Sequence, residues 1–290
     1  MIPLIRWLVR RHRGHNPRSS ETVTGARTTS HNEPWLVLHQ ARYELVSFLR
    51  NKQARFFTLL LPLAFLVILV GLFGNHTVGP EHVKESTYYV PGLSAMAVIS
   101  ASFVNLVISI TAQRETGVLK RRRATPVSAW VLIAGRALTA MVVSLATTTV
   151  LMLVGRFAYG AELPARMIPA VALTATVGSI TFCVLAHALS ALIGSADAAQ
   201  PVVQATVLPL YFISGVFVPD VDLPPWLWHI AEFFPVEHLA NALHSAYDPA
   251  VRGTGIAWSD LAVLTIWMVG GLVIALRRFR WMPAAAATAA

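Results

Sequence analysis

Five windows of this sequence run for span length without a single Asp, Glu, Lys or Arg: residues 56–74, 88–111, 137–155, 167–196 and 198–219. A helix needs roughly 20 predominantly apolar residues to cross a hydrocarbon core of about 30 Å. A sixth window, 261–276, reaches that length if its helix begins near Ile256 and carries Asp260 at its mouth. Composition agrees, with 55% of the 290 residues hydrophobic and 13% charged, against about 25% charged in a soluble domain. The reading is an all-α polytopic membrane protein with six transmembrane helices, at about 56–74, 88–111, 130–155, 167–194, 200–219 and 256–277.

The formal net charge of +9 is a record of topology rather than a nucleic-acid footprint. Cytoplasmic flanks of membrane helices carry the Lys/Arg excess. With six crossings, one side collects 19 of the 23 Lys/Arg; the other holds Lys84, Arg156, Arg166 and Arg252. Both termini are therefore expected in the cytoplasm of a multi-pass cell-membrane protein. The single cysteine, Cys183, falls inside the fourth window and has no cysteine partner for a disulfide or a metal.

Residues 1–33 are rich in Arg, Ser, Thr and His without a sustained period, which predicts a disordered basic tail. From Pro34 an amphipathic pattern begins, with Leu38, Ala41, Leu45, Phe48 and Leu49 on one face and Trp35 at its edge. Such a helix, over 35–54, is expected to lie in the membrane interface. After the fifth window comes "PDVDLPPWLWHIAEFFPVEHLANALHSAYDP". Pro224, Pro225 and Pro235 divide this stretch (220–250) into pieces too short to span. It reads as two outer helices dipping back into the leaflet, tolerated where buried in protein or lining a cavity. A short C-terminal tail, 283–290, completes the chain.

This sequence has no G-x-x-x-x-G-K-[ST] phosphate loop, and "GLSAM" at 92–96 fails the nucleophile-elbow pattern. His229, Glu232, Glu237, His238 and His244 gather in the outer stretch, but Pro235 interrupts the helix that would bring them to one metal. Intramembrane ionisable groups are few: His187 lies mid-span, and Arg136 is placed to snorkel to the inner interface. A proton-coupled transporter would need buried carboxylates, and the windows hold none. The energy source is therefore expected outside this chain.

Two separated segments, "RETGVLKRRRATPVSAWVLIAGR" and "ISGVFVP…LPPWLWHIAEFFPVEHLANAL", resemble the membrane-spanning subunit of ABC-2-type exporters, a family that includes daunorubicin-resistance, nodulation-factor and polysaccharide export permeases. The resemblance covers about residues 35–280. It implies that the permease dimerises, as homodimer or heterodimer, and pairs with a separate ATP-binding subunit. This chain would then bind no cofactor, and ATP and Mg would sit on the partner subunit. It also implies a coupling loop at 112–124 that docks on the ATPase, a connecting helix before the first span, and outer helices that close the exit.

The residues fit that implication. Arg114, Glu115, Thr116, Gly117, Val118, Leu119, Lys120 and Arg121 would form a short docking element with both polar and apolar contacts. Thr125–Pro126 would then restart the third helix as N-cap and N1. Pro225, Trp226, Phe234, Pro235 and His238 would form the exit gate. Phe103, Asn105, Tyr211, Phe212 and Phe217 would line a substrate path, along with small polar residues such as Ser94, Ser102, Ser109 and Gln204; packing between helices explains these residues equally well. The expected function is export of an amphipathic drug-like or lipid-like molecule, with no chemistry of the chain's own. Export of a polysaccharide or lipid-linked glycan is the alternative. An intramembrane enzyme built on the outer His/Glu cluster is a more distant one.

Overall fold

In hydrocarbon every backbone N–H and C=O must be satisfied within its own segment, and the apolar windows fold as helices accordingly. The computed structural model describes residues 33–78, 83–118, 129–162, 165–217, 224–248, 251 and 253–278. The two predicted tails (Glu33 apart), and Leu119, Lys120, Arg121 and Thr125–Pro126 of the loop after the second window, lie outside the described residues.

The first helix, α1 (Glu33–Arg50), stops four residues before the predicted boundary. The reason is Asn51, whose side-chain Oδ1 accepts from Ala54 N at 3.1 Å and starts a new helix. Asn is among the strongest N-caps because its oxygen satisfies an orphan amide of the first turn. The helix it caps is α2 (Lys52–Phe73), followed by α3 (Ser86–Glu115), α4 (Ala129–Val154, continuing as a π turn over Gly155–Tyr159), α5 (Ile168–Leu192) and, last, α9 (Trp258–Arg278). These five, among the described residues, are long and apolar enough to cross a membrane. Between α5 and α9 lies α6 (Ala196–Ile213). At 1.5 Å per residue its 18 residues extend about 27 Å. Asp197, Gln200 and Gln204, with Pro201 and Pro209 inside it, leave it less uniformly apolar than the other five. A two-residue antiparallel pair, β1 (Thr77–Val78) and β2 (Val83–Lys84), joins α2 to α3.

The centre of the fold is α3, whose residues from Ser86 to Val104 are almost all buried. Neighbouring elements α2, α4 and α5 pack around it, and α5 makes its most extensive contact with α9. Hydroxyls in this interior mostly turn back onto their own helix: Ser94 donates to Val90 O, Ser102 to Val98 O and Thr147 to Val143 O. That is the least costly way to bury a hydroxyl. His187 Nδ1 likewise donates to Cys183 O at 2.8 Å. Both α2 and α3 carry a π turn, Phe56–Leu60 and Ser100–Val104. Asn105 Nδ2, just past the second, reaches Thr58 Oγ1 in the first at 2.5 Å.

The prolines break the stretch after α6 where the sequence says they should. α7 (Pro225–Phe233) and α8 (Pro235–Tyr247) each begin with proline at the first helical position, where its missing N–H is not needed. α8 wedges among α3, α5 and α9 and buries Leu239, Ala240, Leu243 and Ala246 completely. α7 instead exposes Trp226, Ile230 and Phe233.

Arg136 corrects the sequence reading. It does not snorkel to the interface. It is 6% exposed, and its Nε lies 3.5 Å from Glu44 Oε1 while its Nη2 donates to Gln113 Oε1 at 2.6 Å. Gln40 Nε2 also donates to Glu44, and Thr139 Oγ1 of α4 donates to Ala41 O. The side of α1 that carries Gln40, Ala41 and Glu44 therefore faces the protein, with Leu45 and Phe48 half-buried beside it, whereas Trp35, Leu38, Val46 and Leu49 are exposed.

Candidate functional site

The predicted docking element begins as the last turn of α3. Thr116 closes that helix, with Oγ1 donating to Ala112 O, and Gly117 follows at φ +70°, the left-handed backbone that ends helices readily only at glycine. Arg114 points inward and is 3% exposed. Its Nη1 donates to Ser190 O at 2.9 Å and its Nη2 to Ile193 O. Glu115 Oε1 accepts from Ala196 N at 2.6 Å. Thr116 is exposed and Val118 half-buried.

Above this turn, a cavity of about 210 Å³ opens between α2, α3 and α6. Its polar lining is Asn51, Gln53, Asn105, Ser109, Gln113, Gln200 and Gln204, set against Phe57, Val104 and Ile108. None of the lining residues is charged. Gln53 Nε2 donates to Gln200 Oε1 at 2.8 Å across it. Carboxamides offer both donor and acceptor, so this surface suits uncharged hydrogen-bonding groups on a molecule with an apolar body.

The predicted path aromatics divide. Tyr211, Phe212 and Phe217 meet, with ring centroids 5.9 Å (Tyr211–Phe217) and 5.0 Å (Phe212–Phe217) apart, and Phe65 of α2 stands 5.0 Å from Phe217. Phe212 is the exposed member. Phe103 lies apart, buried edge-on against Phe182 of α5 at 6.1 Å. Asn105 borders the amide-lined cavity instead.

At the start of α8, His238 joins three helices. Its Nδ1 lies 2.7 Å from Asp260 Oδ1 of α9, and its Nε2 lies 2.9 Å from Glu232 O of α7. Phe234 stacks on Trp267 at 6.4 Å, and Trp267 Nε1 donates to Phe233 O. Pro225 and Trp226 are exposed at the start of α7. His229 turns back to Pro225 O rather than toward the other histidines. Among the described residues no group of three or more His, Cys, Asp or Glu could hold a metal ion.

Sequence reading did not identify Asp260, Trp267 or the Ser190–Ala196 turn as partners. Trp267 carried a signal, as the one tryptophan placed mid-span: an indole N–H away from the water interface needs an acceptor in the protein.

Glu237 of α8 is 2% exposed; Asn241 donates to its Oε1 at 3.0 Å, and its Oε2 has no hydrogen-bond partner among the described residues. Burial raises its carboxyl above the ordinary value, against opposing contributions from Asn241 and His238. A raised acid favours the fold in its protonated form, so its contribution is full below pH 4.5 and is lost as pH rises through the raised value. Glu237→Gln is therefore expected to stabilise the protein at neutral pH, by roughly 1 kcal/mol for a relieved buried acceptor, and to leave it unchanged in acid. Thermal midpoints in detergent from pH 4 to 8 check this; a gain independent of pH contradicts it.

Residues 37–247 match the family described as ABC-2 type transporter. The chain belongs to that family. Among curated proteins it is similar to the "Probable multidrug ABC transporter permease YbhR" of Escherichia coli K12 and of Escherichia coli O157:H7. Each is 23% identical over 182 residues, 62% of this chain and 48% of the relative. The chain thus spans about half the length of the curated relatives it matches.

Proposed function

We propose that this protein is the membrane-spanning permease subunit of an ATP-driven exporter, working with a separate ATP-binding subunit that holds ATP and Mg and with a second permease copy. The observation that carries this reading is the family match across residues 37–247, joined by the uncharged, amide-lined cavity against the helix end where the docking element begins. In this reading α6 is the fifth of six crossings, both termini are cytoplasmic, and α1 lies in the inner interface with its exposed Trp35 and Leu38 in lipid. α7 and α8 are re-entrant helices that close the exit. Gln200 and Gln204, at membrane depth on α6, would face the second copy or the path rather than lipid, because a carboxamide holds more polar groups than one neighbour satisfies.

The substrate class is an amphipathic drug-like or lipid-like molecule, which agrees with the multidrug name carried by the relatives. The carboxamides would also suit the hydroxyls of a lipid-linked glycan. Co-expression with a candidate ATP-binding subunit, followed by proteoliposome assays with a rhodamine dye and a glycolipid in parallel, separates the two. Uptake of neither in the presence of ATP would refute the exporter reading.

Docking is tested at Arg121, in the basic run of the 112–124 element. Arg121→Glu is expected to reduce co-purification of the ATP-binding subunit by about tenfold or more, as reversal of a charge at a contact does. Retention of a wild-type complex removes Arg121 from the docking surface.

A further inference from the structure

Two oppositely charged neighbours on the last turn of α3 meet two opposite helix poles. Arg114 donates to Ser190 O and Ile193 O, at the C-terminal end of α5. Glu115 accepts from Ala196 N, the first amide of α6. Carbonyls at a helix end and amides at a helix start are the groups left without intrahelical partners, and they carry the negative and positive ends of the helix dipole. The charges therefore match on both sides. Only Ile193, Gly194 and Ser195 separate α5 from α6, and Ser195 Oγ caps α6 by accepting from Ala198 N at 3.3 Å. Gln200, one turn further along α6, lines the amide cavity and holds Gln53 of α2.

We propose that Arg114 and Glu115 are positioning residues: a clamp that carries displacement of the 112–118 segment into the turn between α5 and α6, and so into the wall of the cavity. This deepens the exporter reading and rests on it. It also separates the docking element into two parts. Arg114 is too buried to touch another subunit, and Glu115, though exposed, is committed through Oε1 to Ala196 N; contact with the ATP-binding subunit is assigned to the exposed Thr116 and to the residues after Gly117. The planar guanidinium fork spans two carbonyls at once, which a lysine ammonium does not reproduce.

The test uses the full chain in lipid nanodiscs, alone and with its ATP-binding subunit, with Glu115→Ala and the acceptor-retaining Glu115→Gln. Amide hydrogen exchange on the permease alone is expected to rise about tenfold or more at 196–198 in Glu115→Ala, since local opening reports the lost bond directly. Glu115→Gln is expected to restore most of the protection. In the complex, Glu115→Ala should keep subunit binding and ATP hydrolysis within about twofold of wild type while export of a rhodamine dye per ATP hydrolysed falls about tenfold, the signature of lost coupling rather than lost binding. Unchanged exchange at 196–198 overturns the clamp. Loss of the complex makes Glu115 a docking residue and overturns the proposal equally, as does unchanged export per ATP. A wild-type chain that recruits no ATP-binding subunit overturns the exporter reading and the transmission with it; the exchange result on the permease alone distinguishes that failure from failure of the clamp.

Discussion

Gly92→Ala is expected to destabilise the protein strongly, although alanine is the better helix former. Gly92 sits within α3, one residue after Pro91. A Cβ there would lie 2.2 Å from Val216 O and 2.9 Å from Val216 C. Both are backbone atoms, so no side-chain rotation relieves the overlap. The turn they belong to is held from the other side as well, because His244 of α8 donates through Nε2 to Gly215 O at 3.1 Å. Helix propensity favours alanine by about 1 kcal/mol. Overpacking in a closed core costs about 1–3 kcal/mol and more where backbone must move, so the clash wins. Gly71 in α2 is the natural control, since a Cβ there meets nothing within 4 Å. Thermal midpoints measured by fluorescence-detected size exclusion should fall for Gly92→Ala and hold or rise for Gly71→Ala. A raised midpoint for Gly92→Ala would mean that the 214–217 turn does not pack on α3 as described.

That contact could not be read from the sequence, and the reason is general to this chain. Continuous apolar windows announce helices because hydrocarbon leaves the backbone few alternatives, and prolines announce breaks because they lack an N–H. The α2, α3, α4, α5 and α9 windows, and the break at Pro235, were legible on those grounds. Partners are a different matter. Arg114 and Glu115 read as surface residues of a docking loop, because a cation beside an acid at a helix end is most often solvated. Only the position of the α5–α6 turn reveals that each has a helix pole to meet. Asn51 was likewise indistinguishable from any polar residue on the wheel of α1, yet it caps the next helix. Phe103 and Phe217 look alike as path candidates, but one faces α5 and the other the α6 aromatics. Periodicity specifies a face and leaves open which element covers it.

The second large effect is expected where α1 is held to α4. Arg136 and Glu44 have side chains only 5% and 12% exposed, with Nε 3.5 Å from Oε1. Gln113 and Gln40 extend the pair to α3 and along α1. Removing one partner of such a pair leaves the other charge buried without its counter-ion and costs about 3–5 kcal/mol, whereas replacing both by apolar groups of similar volume is often neutral. Glu44→Leu alone should therefore lower the thermal midpoint sharply and loosen α1, raising amide exchange over 41–48. Arg136→Met alone should cost less, because Glu44, nearer the solvent, keeps its bond from Gln40. The double variant should recover most of what Glu44→Leu loses. A cycle of the four proteins measures this directly: a coupling of about 2 kcal/mol or more is expected for charges in contact at this burial, and simple additivity would show that the pair does not hold α1 in place. A helix lying loosely on lipid would show no such coupling. The pair thus distinguishes an α1 fastened to the transmembrane core, able to move with it, from one that merely rests on the membrane surface.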